Sequence, residues 1–144
     1  MPESRSVVVP GRPLPRGAYP HVRIVGDLMF VSGTSARRPD GSIEGAEVDA
    51  DGRPSLDIRV QTRTVLDNIG AVLGAVGASL ADVVDVTVFL VDMDDFDGYN
   101  AVYADYFSAD TGPARTTVAV RQLPHPHLLV EMKAMAHCPG SSGG

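Results

Sequence analysis

Apolar residues recur along this chain with two periods, and the switches between those periods mark out its elements. Residues 22–25 and 28–31 are rich in valine, isoleucine and phenylalanine, and Gly26-Asp27 separates them, which predicts a β-hairpin closed by a turn that tolerates positive φ. From Asp57 the spacing changes to steps of three and four. Ile58, Thr62, Val65, Ile69, Val72 and Val76 then mark one side of a helix that Asp57 caps and Gly77 ends. Gly70 and Gly74 lower its propensity and are expected to admit close packing on a sheet. Residues 83–91 are apolar and β-branched almost throughout, which predicts a central strand covered on both faces. Asp94 or Asp95 starts a second helix carrying Phe96, Tyr99, Tyr103, Tyr106 and Phe107 along one side. Two further strands are predicted over 116–120 and 128–136. The order ββαβαββ defines an α+β fold with both helices on one face of a mixed sheet.

The segments between and around these elements read differently. Residues 1–20 hold Pro10, Pro13, Pro15 and Pro20, which predicts an extended N-terminal arm with at most a short strand at 7–9. Residues 35–54 are rich in glycine and acids, and a structureless loop of that length is a candidate lid. Residues 21–138 form the expected single domain, and the Gly/Ser-rich 139–144 an expected disordered tail.

Composition narrows the classes of partner. The 144 residues are 44% hydrophobic, enough for one core and few enough that oligomerisation would add stability. With 12 Lys and Arg against 18 Asp and Glu, a net charge of −6 argues against a nucleic-acid surface. No apolar run reaches membrane-spanning length, and the first residues lack the hydrophobic core of a secretory signal. The single cysteine, Cys138, excludes an internal disulfide, so a cytoplasmic setting is expected.

Candidate chemistry concentrates late in the chain. Arg115 opens one predicted strand and Glu131 lies on the next, so a planar cationic fork and a carboxylate are expected on neighbouring strands. The alternative for Arg115 is an ion pair with one of the chain's own acids. Lys133 stands two residues beyond Glu131 on the same strand face, where it would lower the Glu131 pKa or form a solvent-facing ion pair. His125-Pro126-His127 has no partner at a familiar metal-ligand spacing and reads as a loop. Asp92, Asp94, Asp95 and Asp97 read as a helix start rather than a calcium loop.

Several motifs recur in a recognisable order: Phe30-Val31-Ser32-Gly33, the run from Thr62 to Ile69, the stretch from Val86 to Phe96, Tyr99-Asn100-Ala101-Val102-Tyr103, Pro113-Ala114-Arg115 and Val130-Glu131. From about Tyr19 to Ala136 their order and spacing resemble the RidA/YjgF family of enamine and imine deaminases. Residues 5–11, 37–40, 46–50 and 122–129 look most like its 2-aminomuconate deaminase branch. The resemblance implies a chorismate-mutase-like fold, and a homotrimer whose sheets surround a central barrel with active sites between subunits. It further implies that Arg115 binds the substrate carboxylate, that the backbone around Thr117 touches the amino or imino nitrogen, and that Glu131 positions the attacking water. Ser32, Asn100 and Tyr19 complete the implied substrate contacts, with no metal or organic cofactor. The implied reaction converts 2-aminomuconate and water to the 2-oxo diacid and ammonia. A general deaminase of reactive species such as 2-aminoacrylate, and a non-catalytic carboxylate-binding or chaperone-like module, are the alternatives. A dicarboxylate needs a second cation, for which Arg37, Arg38, His125, His127 and Lys133 all remain open.

Overall fold

A computed structural model describes residues 3–140, so the expected tail lies, from residue 141 on, outside the described residues. In chain order the strands and helices are β1 (Ser4–Val7), β2 (Val22–Val25), β3 (Leu28–Thr34), β4 (Ala46–Val48), β5 (Pro54–Leu56), α1 (Ile58–Ala75), β6 (Val83–Leu90), α2 (Phe96–Tyr106), β7 (Ala114–Ala119) and β8 (Val130–His137). Six strands form one mixed sheet in the order β1-β2-β3-β8-β6-β7, with α1 and α2 on one face, and β4-β5 is a separate ribbon.

The helices form where the sequence places them. The Asp57 carboxylate accepts from the N–H groups of Arg59 and Val60 at 3.0 and 3.1 Å, satisfying donors that the first turn leaves unpaired. Beyond α1, Gly77 takes φ of 87°, a left-handed conformation that stops the helix. Thr62, Val65, Leu66, Ile69, Val72 and Leu73 of α1 pack on a sheet face built from Val22, Ile24, Met29, Val31, Val86, Val88, Leu90, Val130, Met132, Ala134 and Ala136. Alternation in register puts all of these sheet residues on one side, and their burial is the main source of stability.

Five expectations are corrected. The first strand runs over 4–7 rather than 7–9, because Val7 pairs with Val22 and the Val9 N–H turns away to donate to His21 Nδ1 at 2.8 Å. The segment 35–54 is not structureless. It holds the β4-β5 ribbon and an Arg37–Ile43 bridge, Ala36, Ile43 and Ala46 are buried, and Arg38 pairs with Glu44 and Glu47 at 2.7 and 2.9 Å. Two of the acids that read as loop, Glu44 and Glu47, are ion-pair partners, while Asp40 and Asp49 accept hydrogen bonds within turns. Strand β6 is fully buried on its helix side only, since Phe89 and Thr87 are half-buried and Val84 is 44% exposed on the chain's own surface. A Cβ at Gly74 would meet nothing within 4 Å, whereas one at Gly98 would stand 2.7 Å from Ile58 Cγ2, so the tight approach is between α1 and α2 at Gly98. Finally, Arg115 and Glu131 do not lie on adjacent strands. Strand β7 pairs parallel to β6 through the α2 crossover and β8 pairs antiparallel to β6, so β6 runs between them.

Candidate active site

Where β3 ends and β8 begins, the sheet opens into a cavity of about 390 Å³. Tyr19, Ser32 and Glu131 line it together with Arg12, Arg16 and Arg37. A bulge in β3 between Val31 and Thr34 shapes this end of the sheet. Gly33 lies in the bulge, and a Cβ there would stand 2.7 Å from Glu131 Oε2, so the carboxylate rests directly against the β3 backbone.

The N-terminal arm closes the cavity through His21. Its Nδ1 accepts from Val9 N–H at 2.8 Å, so Nε2 carries the ring proton and donates to the Pro13 carbonyl at 2.6 Å. This imidazole holds both ends of the turn that carries Arg12. Tyr19 Oη accepts from the Arg16 N–H at 3.1 Å, which leaves the phenol proton free to donate. Ser32 Oγ donates to the Pro20 carbonyl at 2.8 Å, which leaves its lone pairs to accept.

Burial pushes the half-buried Glu131 carboxyl above the usual glutamate range, and the nearby Arg37 charge partly opposes the shift. This corrects the expectation for Lys133: the opposing cation is Arg37, and Lys133 is exposed. Arg37 is itself brought below its ordinary value by burial and then by Arg16. Of the candidates for a second cation, Arg38 is taken by its two ion pairs and lies outside the cavity lining, as do His125, His127 and Lys133. His125 and His127 instead stack edge-on, ring centroids 5.1 Å apart, and the His127 N–H donates to His125 Nδ1 at 3.0 Å.

Arg115, Asn100 and Thr117 form a second group elsewhere. Arg115 Nη1 donates to Asn100 Oδ1 at 2.8 Å, and the guanidinium carbon lies 4.7 Å from the Tyr103 ring centroid, 5.2 Å from Tyr99 and 5.8 Å from Phe96. An aromatic wall beside a delocalised cation holds it through the ring quadrupoles without consuming its charge. No acid pairs with Arg115 among the described residues. Thr117 Oγ1 shares a hydrogen bond with Tyr99 Oη at 2.5 Å.

Within the chain these two groups are apart. Arg115 is in register with Val86 and Ala134 on the helix-covered face, whereas Glu131 is in register with Phe89 on the bare face. Two strand spacings separate them laterally by roughly 10 Å, and three residues of stagger add roughly 10 Å more.

Two positioning residues escape a reading by residue type. Gln61 is fully buried in α1, where polarity suggested solvent. Its amide donates to the carbonyls of His127 at 2.8 Å and Gly45 at 3.3 Å and accepts from the Leu129 N–H at 2.9 Å, which fixes the approach to β8. Asn68 accepts from Arg12 Nη1 at 3.2 Å and donates to the carbonyls of Ser35 and Arg37 at 3.0 and 3.2 Å. Their place beside the α1 stripe, each one residue before a stripe position (Thr62 and Ile69), was the available signal.

Two helices on one face of this mixed sheet, with a carboxylate in an arginine-lined cavity at the ends of its central strands, define a class of small α+β domain. Comparison with known proteins places it more narrowly. The family described as Endoribonuclease L-PSP matches residues 10–138. A RutC family protein of Pyrococcus abyssi is 42% identical over 126 residues, covering 87% of this chain and 90% of the relative. The 2-iminobutanoate/2-iminopropanoate deaminase of Escherichia coli is 32% identical over 135 residues, covering 92% and 97%. The crystal structure of RidA from the Antarctic bacterium Psychrobacter sp. superposes with a TM-score of 0.78 at 28% identity, covering 92% of this chain and 98% of that one. The chain belongs to the RidA/YjgF/RutC family, whose fold it shares and which includes imine deaminases.

Proposed function

We propose that the protein is a cofactor-independent hydrolytic deaminase of enamine and imine carboxylates, acting as a homotrimer with its active sites between subunits. The observation that carries this reading is the half-buried Glu131 in an arginine-lined cavity, with its pKa raised by burial. A carboxyl group moved toward neutrality can both hold and return a proton. The reaction asks for little else. Protonation of the enamine at carbon gives the imine, water adds to the C=N carbon, and collapse of the tetrahedral intermediate expels ammonia and leaves the ketone. Arg115, fixed by Asn100, grips the α-carboxylate and withdraws electrons from the adjacent carbon. Glu131 orients the water and hands a proton to the leaving nitrogen. The Ser32 lone pairs accept an N–H, the Tyr19 phenol donates to an oxygen, and the backbone at Thr117 contacts the nitrogen.

The trimer brings the two groups together. Arg115 and Glu131 occupy opposite faces of one sheet, which supports a site in which a second copy supplies one of them to the other. Half-buried Phe30, Thr87, Phe89 and Met135 with exposed Val118 give the bare sheet face the apolar character that such a contact needs.

The narrower substrate is 2-aminomuconate, favoured by the resemblance of residues 122–129, of which Pro124 and Leu128 line the Glu131 cavity. Endoribonuclease activity, named in the family's description, is disfavoured by the net charge of −6. Following ammonia from freshly generated 2-aminomuconate and 2-aminoacrylate tests the reading. Release from both supports the class, and a higher kcat/KM for the first supports the narrower substrate. Arg115→Ala abolishes turnover with the fold intact. Release from neither would leave a non-catalytic carboxylate-binding module.

A further inference from the structure

We propose that Arg12, Arg16 and Arg37 form a second anion subsite in the Glu131 cavity, which takes the distal carboxylate of a dicarboxylate ligand. Two segments distant in sequence, the N-terminal arm and the turn after β3, bring three arginines to the lining of one cavity of about 390 Å³ in which Glu131 is the sole carboxylate among the described lining residues. Composition does not cause this shortage of acids, since the chain holds 18 acids against 12 bases.

Two arginines elsewhere in the fold do find acids: Arg38 pairs with Glu44 and Glu47, and Arg63 with Asp105 at 3.1 Å. In the cavity, Arg12 and Arg37 are held by neutral acceptors. Arg37 donates from Nη1 to the Gly41 carbonyl at 3.4 Å and from Nη2 to the Pro124 carbonyl at 3.2 Å. Arg12 Nη1 donates to Asn68 Oδ1, and the amide of Asn68 anchors the Arg37 backbone. Carbonyl and amide oxygens aim a guanidinium without neutralising it, so its charge stays available to an incoming anion. The mutual crowding of Arg16 and Arg37 is unfavourable without a ligand, and an anion between them relieves it.

A substrate with a single carboxylate has no use for this second clamp. The subsite therefore deepens the deaminase reading by naming the substrate class as dicarboxylates, while its binding chemistry can be measured without turnover. Muconate and sorbate share a six-carbon diene chain and differ in one carboxylate, which makes them suitable probes for calorimetric titration of the full chain. Wild-type protein binds muconate at least roughly tenfold more tightly than sorbate. Arg37→Ala and Arg16→Ala each reduce that ratio several-fold, and Arg38→Ala, outside the cavity, preserves it. Arg16 is exposed and its guanidinium makes no hydrogen bond among the described residues, so Arg16→Ala tests the subsite even if Arg37→Ala fails to fold. Equal affinity for the two probes, or a ratio untouched by Arg16→Ala, overturns the proposal. Inorganic phosphate competing as well as muconate also overturns it, since it would mark a general anion site. If no imine is turned over, the deaminase reading fails, and the muconate-to-sorbate ratio still decides the subsite.

Discussion

The carboxylate of Glu131 occupies the space that a side chain at Gly33 would need, with Oε2 2.7 Å from the position of a Cβ. The intruding atom is the far end of a flexible side chain rather than backbone, and Gly33 is not in the positive-φ region, so the fold can absorb Gly33→Ala. The carboxylate must move to admit the methyl group. Gly33→Ala is expected to keep its melting temperature within a few degrees and to lose on the order of 10²-fold in kcat, as misplaced catalytic groups do. Thermal denaturation and ammonia-release kinetics on one preparation check both halves.

Glu131 also makes stability depend on pH. Its folded-state pKa is raised, so the folded protein holds this proton more tightly than the unfolded chain. The associated stability is present in full below the unfolded glutamate pKa and is lost as pH rises through the folded value. Glu131→Gln, which cannot ionise, is expected to melt higher than wild type at pH 7, with the difference shrinking as pH falls below the ordinary glutamate range. Melting curves at several pH values give the sign.

Arg37 opposes that shift, so its removal leaves burial unopposed. In Arg37→Ala the acidic limb of the kcat/KM profile is expected to move to higher pH. An unmoved limb would separate Arg37 from the group that titrates.

If Glu131 of one subunit works with Arg115 of another, inactive variants complement each other. Arg115→Ala and Glu131→Ala, refolded together in equal amounts, are expected to recover roughly a quarter of wild-type activity, because random assembly leaves that share of sites with both groups. Each variant refolded alone stays inactive. Failure of the mixture to recover activity, with assembly verified by sedimentation, would place both residues in one subunit's site.

Gln61→Leu leaves the Leu129 N–H and the His127 carbonyl without their partner, while the Gly45 carbonyl keeps the Asp57 N–H at 2.9 Å. An unsatisfied buried group costs about 1–3 kcal/mol, so the variant is expected to lose about 2–5 kcal/mol in chemical denaturation.

Much of this architecture can be read along the chain. The Asp57 cap, the α1 stripe, the hairpin at Gly26-Asp27 and the pairing of Tyr99 and Tyr103 on one side of α2 follow from local geometry, since 3.6-residue and two-residue periods act within a single segment. Alternation also puts Glu131 opposite Val130 and Met132, hence off the core face. The same rule misleads on β7, where Val118 suggests the inward side. Val118 is 39% exposed, while Thr117 and Arg115 face α2, because the apolar residues of this edge strand look toward the bare sheet face.

By itself the sequence determined the helices, most of the strands and the residue types able to grip and protonate an anion. The tertiary structure alone decided that β6 runs between the strands of Arg115 and Glu131, and that Arg12, Arg16 and Arg37 meet in one cavity. The physical reason is that a strand's pattern fixes which way each side chain points but not which strand lies beside it. That choice belongs to ladder pairing and chain crossovers between segments far apart in sequence.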